Sequence, residues 1–145
     1  MNTIKGAIYD RLRNDATIIA IVGSAIYPSP APRGQNPPYI SFQRVDKMTE
    51  RHLLGPNSLA RARFQINCWA QGPDDADELA EAVRRSLDGL RKQTMGTVDV
   101  DSIAFLSQRD SITDPTDGSE TVEYVCSMDF RISYREQLPA HVAAV

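Results

Sequence analysis

Histidine is scarce: His52 and His141 are the only two. Neither has the neighbouring cysteine, serine or carboxylate pattern that builds a triad or a zinc site. A glycine-rich phosphate loop, a CxxC pair and an HExxH run are also missing. Nucleotide, redox-dithiol and zinc-protease chemistry therefore have no local signature, no cofactor is expected, and an enzyme ranks last among the readings. Cysteine is limited to Cys68 and Cys126. Both fall on apolar faces of predicted strands, where cysteine acts as a small buried hydrophobe. A disulfide between neighbouring strands is the competing reading, but nothing marks the chain as exported. No apolar run approaches eighteen residues, and Met1 to Gly6 has no apolar signal core. A protein without a membrane segment, made in a reducing cytoplasm, is the expectation. A basic excess is missing too: the net charge is −3, which argues against a main task of gripping nucleic acid.

What is present is one long period-two stretch. From Thr121 to Arg135 the even positions Val122, Tyr124, Cys126, Met128, Phe130, Ile132 and Tyr134 are all apolar. The odd positions are polar or charged except Val125. That alternation defines a strand with one dry and one wet face. At ~3.3 Å per residue it is as long as a domain of this size is wide, so it bends or projects and offers an edge. It is the spine of a single domain over residues 1–136, with residues 137–145 as a flexible tail.

The front is helical. Ile4, Ala7, Ile8 and Leu12 form one stripe; Asp15 caps a short helix holding Ile18, Ile19, Ile21 and Val22, and Gly23 ends it. Five prolines between Ser24 and Pro38 make a stiff surface connector after a brief edge strand at Ile26–Tyr27. Strands follow at Tyr39–Val45 and Arg61–Trp69. A second helix opens at Pro73, with acids in its first turn and Arg84 and Arg85 at its far end, the order a helix dipole favours. Its buried stripe is Ala76, Leu79, Ala80, Val83 and Leu87. Val98 to Ser107 is a strand either covered on both faces or bulged near Ser102, and Gln108 to Gly118 is a polar connection. The expected fold is α+β: a mainly antiparallel sheet of four or five strands with two helices packed on one face.

Two features point outward. Asp46 to Ala60 is a loop too long for a tight hairpin turn, and loops of that length are usually functional. It carries Met48, Arg51, His52, Leu53 and Leu54. Arg61, Arg63, Arg131 and Arg135 lie on the polar faces of their strands and form a basic stripe with Glu123 and Asp129 between them. The alternatives are a solvated face and a subunit or partner interface; arginine is enriched at interfaces.

The order of elements, with Asn14-Asp15, Val22-Gly23, Ile26-Tyr27-Pro28, Pro38-Tyr39-Ile40, Cys68-Trp69-Ala70 and a helix from Pro73, resembles the tail completion (tail terminator) proteins of long-tailed bacteriophages and prophages. The resemblance covers residues 2–135. It implies a structural virion protein without catalytic residues: a hexameric ring at the head-proximal end of the tail. Such a ring ends growth of the tail tube and helps join tail to head. Its implied partners are further copies of itself, the tail tube protein and a head-completion or neck protein, with DNA only passing through. It also implies that the Asp46–Ala60 segment meets the tube or a neighbouring subunit. Two alternatives stand beside it: another neck component or tail-tube-like subunit, and a monomeric module that binds peptides along an exposed strand edge.

Replacing Leu53 and Leu54 with serine is expected to leave the melting temperature nearly unchanged while weakening assembly. Collapse of the fold would instead assign both leucines to the core.

Overall fold

A computed structural model describes residues 3–52, 55–113 and 122–136. Its elements run α1 (Ile4–Arg13), α2 (Ala16–Val22), β1 (Ile26–Tyr27), β2 (Tyr39–His52), β3 (Gly55–Ala70), α3 (Pro73–Leu87), β4 (Arg91–Met95), β5 (Val98–Thr113) and β6 (Glu123–Arg135). The six strands form one sheet in the order β1-β2-β3-β6-β5-β4. Every pairing is antiparallel except β1 with β2. The sheet is thus larger than the expected four or five strands and mixed, and three helices stand where two were expected. None of the described helices is long and apolar enough to cross a membrane.

Local chemistry sets the helix ends. The Thr3 hydroxyl accepts from Gly6 N at 3.1 Å, and Asp15 accepts from Thr17 N and Ile18 N. Gly23 ends α2 at φ 63°, a left-handed conformation that favours glycine. α3 starts on Pro73 with Asp74 and Asp75 in its first turn. At its far end Asp88 takes Arg84 Nε at 3.5 Å and the backbone N–H of Phe105 at 3.0 Å. The helix end is thereby tied to β5.

The dry row of β6 is buried as its period demands: Cys126, Met128, Phe130 and Ile132 are fully enclosed, as are Ala62, Phe64, Ile66 and Cys68 of β3. The register sets Phe64 beside Phe130 and Cys68 beside Cys126; both cysteines are buried free thiols. α3 packs across β3, β6 and β5, and α1 leans on β1 and β4. The opposite sheet face carries no helix among the described residues. The register shifts between Val100 and Ser102, so of the two readings of that strand the bulge is the one observed.

Three expectations fail together. Asp46 to Ala60 is not a loop: β2 runs on to His52, β3 begins at Gly55, and the pairing continues from Asp46–Arg63 out to His52–Gly55. Gln108 to Thr113 is not a connection but the end of β5. β4, with four of five residues exposed, has no counterpart in the sequence reading. These segments lie outside the helix-covered core. A ladder in water is held by backbone hydrogen bonds and needs no apolar alternation, so the period-two signal disappears there.

Phe130 is at the centre of the buried row. Phe130→Ala should cost ~3–5 kcal/mol in denaturant unfolding; a loss below about 1 kcal/mol would place it outside the core.

Candidate assembly surface

Past Thr49 and Ser58, β2 and β3 run on as a short two-stranded arm, with Arg51 and His52 paired by backbone to Pro56 and Gly55. Leu53 and Leu54 lie outside the described residues. Met48, on the outer edge of β2 before the arm, is 72% exposed.

Both sides of the sheet end in part-open edges. On one side β1 covers β2 only at Ile40 and Ser41. From Phe42 to His52 the outer edge of β2 has no strand partner among the described residues. On the other side β4 covers β5 only between Val98 and Ser102. Gly89 N donates to Ile103 O, Ile103 N donates to Leu90 O, and Asp88 caps Phe105 N. Past that cap, Leu106 to Thr113 has no described outer partner.

The helix-free face is polar with one buried charge. Asp129 is only 2% exposed. Its Oδ2 accepts from Arg63 Nη2 at 2.5 Å, Arg109 Nη1 at 3.1 Å and Ser107 Oγ at 3.5 Å. Its Oδ1 is buried and accepts nothing among the described residues. Burial alone raises the pKa of this carboxyl; the hydrogen bonds and charges of the two arginines outweigh it, and the net shift is downward. Beside this hub, Asn67 Oδ1 accepts from Ser127 Oγ at 2.7 Å and Gln65 Nε2 at 2.9 Å. At the far end Tyr39 stacks on Trp69 at 5.5 Å. Burial first, then the Glu123 carboxylate, push the Tyr39 hydroxyl up to about 12.

One group of the described residues has metal-ligand spacing: Asp77, Asp110 and Cys126, with ligand atoms within 4.8 Å of one another. Burial and the neighbouring Asp110 push the Cys126 thiol up to about 12. In the metal-free chain the thiolate is therefore disfavoured.

The family model described as tail completion protein gp17 matches residues 6–134. The chain belongs to that family. As a tail completion protein it is a structural component of a virion tail. Among solved structures, a chain from the virion of a native gene transfer agent (GTA) particle shares the fold. The TM-score is 0.73 and the identity 23%, covering 92% of this chain and 95% of that one. A search of curated proteins found no match.

In this tail completion protein the basic stripe is spread over the helix-free face. Arg63 and Arg131 face each other across β3 and β6. Arg131 and Arg61 are exposed. Arg135 reaches Asp101 at 3.6 Å and Ser58 Oγ at 3.3 Å. Arg63 is held by Asp129 and is thus partly neutralised. Arg109 and the burial of Asp129 were not foreseen. Arg109 lay in the supposed connection, and an aspartate on a wet face reads as solvated until the register shows two arginines beside it.

Asp129→Asn should destabilise the tail completion protein by about 1–3 kcal/mol at pH 7 in urea unfolding. A carboxyl whose pKa is depressed in the folded state contributes fully above its unfolded value of about 3.9 and loses that contribution as pH falls through the folded value. Wild type and variant should therefore converge towards about pH 2. A gap that stays constant across that range would show that the arginine pairing adds nothing.

Proposed function

We propose that copies of this chain close a ring, hexameric by the family resemblance, on the head-proximal end of the tail tube. The ring ends tube elongation and seats a head-completion or neck protein. The observation that supports this best is the pair of unlike open edges on opposite sides of one sheet. A head-to-tail interface needs two different surfaces on each subunit, and it gives a ring when the rotation closes and a filament when it does not. The β2–β3 arm supplies a further part that reaches past the body. Met48 on the open edge of β2, Arg51 and His52 on the arm, Leu53 and Leu54 next to them in sequence, and Arg61, Arg63, Arg131 and Arg135 on the helix-free face, are the proposed contact residues for neighbours and tube. A net charge of −3 suits a passage through which DNA moves without sticking.

The test is native mass and negative-stain imaging of the purified chain, alone and with added tail tubes. Closed six-fold rings, or tubes capped at one end and held at fixed length, are expected. Unlimited filaments would make it a tube subunit instead. A monomer both alone and with tubes would end the ring reading.

A further inference from the structure

We propose that the sheet continues from one copy to the next. The outer edge of β2, from Val45 to Arg51, pairs antiparallel with the outer edge of β5, from Leu106 to Ile112, of the adjacent copy. This rests on the ring reading and specifies the seam.

The first support is where the apolar surface lies. Five large hydrophobic side chains stand exposed among the described residues: Ile19, Val45, Met48, Leu106 and Ile112. Four of them fall on these two stretches, Val45 at 49% and Met48 at 72% on β2, Leu106 at 37% and Ile112 at 60% on β5. Open backbone edges that also carry apolar side chains are sites of strand addition.

Direction gives the second support. Three antiparallel steps separate β2 from β5, through β3 and β6, so the two strands run opposite ways within one copy. Rotation about an axis lying roughly along the strands preserves those directions. The seam between copies is then antiparallel, the stronger ladder.

The third support is the stagger. Lys47 lies in one row with Ala62 and Ile132, and Asp110 lies in the row of Cys126. From Ile132 to Cys126 is six residues along β6, or roughly 20 Å at ~3.3 Å each. From β2 across to β5 and over the new seam is four strand spacings, roughly 19 Å. The two open stretches therefore meet level only if the strands lean by roughly 45°, close to the 35–45° tilt of closed barrels. A flat array would leave them out of step.

Side-chain chemistry picks the register. Lys47 is paired with the buried Ala62, and Asp110 with the buried Cys126, so both lie on the helix side of the sheet. Setting Lys47 opposite Asp110 joins opposite charges and brings Val45 against Ile112. Lys47 already meets Glu136 at 2.5 Å, but an ammonium has three donors and can serve both. In the same register His52 stands opposite Phe105. The β4 strand of the next copy, which covers only Val98 to Ser102, then begins just past the arm and does not obstruct it.

The test uses two full-length single variants, Val45→Lys and Ile112→Lys. Both sites are exposed, so each variant should keep the wild-type circular dichroism and melting temperature; Val45→Glu or Ile112→Glu replaces a variant that does not fold. Each alone should need at least about tenfold more protein than wild type to assemble. Mixed one to one, they should form heterodimers and stop there. The intact β2 edge of one meets the intact β5 edge of the other, and the remaining edges are both blocked. Rings from either variant at wild-type concentration overturn the proposal. So does a mixture that gives rings, or only monomer, where wild type is fully assembled. Failure of wild type itself to assemble, alone or on tubes, removes the ring reading instead.

Discussion

Three short helices among the described residues must cover a sheet whose four main strands are longer than they are. α3, with 15 residues, is about 22 Å long at 1.5 Å per residue. β3, with 16 residues, spans roughly 53 Å at ~3.3 Å per residue. The core therefore sits where α3 crosses β3, β6 and β5, around Phe64, Phe130 and Leu79. Everything past that crossing is backbone ladder in water: the arm at one end and the last turns of β5 at the other. The open edges follow directly, because no described helix or further strand extends that far.

The same constraint divides what could be read from the sequence from what could not. Helix stripes such as Ile4, Ala7, Ile8 and Leu12 were legible because a buried face imposes a period, and so was the row from Cys126 to Tyr134. Caps were legible because Asp15 and Pro73 act through local backbone geometry. The arm, the end of β5 and all of β4 were not. Arg91 to Met95 buries only Met95, so nothing in its composition marks it as a strand. Of the candidate contact residues, Arg61 and Arg131 are exposed on the strand face their alternation indicated, whereas Met48 is exposed on a strand and not in the expected loop. Their arrangement depends on registers, and those are fixed by pairing with distant segments.

Asp129 illustrates that dependence. A carboxylate 2% exposed on a face without helices is costly unless paired. Arg63 and Arg109 reach it from the strands on either side, and their own guanidinium groups stay about half exposed. Their positive charges partly cancel against it while their outer N–H groups remain available at the surface. The face keeps an arginine-rich character without a strong net field. Such a surface can hold a specific protein neighbour and still bind passing phosphate weakly, because affinity for nucleic acid scales with the number of uncompensated charges.

The two short strands gain a purpose in this geometry. β1 is two residues long and β4 five, too little to add much to the core. They occupy complementary halves of the two edges: β1 the start of β2, β4 the start of β5. A neighbour approaching without stagger would bring the open half of β2 level with the part of β5 that β4 already covers. Backbone ladders alone would allow slippage in two-residue steps, since each step preserves the faces. Covered halves remove the unstaggered alignments, and the bulge between Arg44 and Asp46 twists the edge away from flat partners. Under the proposed pairing the edges would thus be open to a leaning neighbour and closed to a flat one, the condition for a closed ring rather than an unlimited sheet.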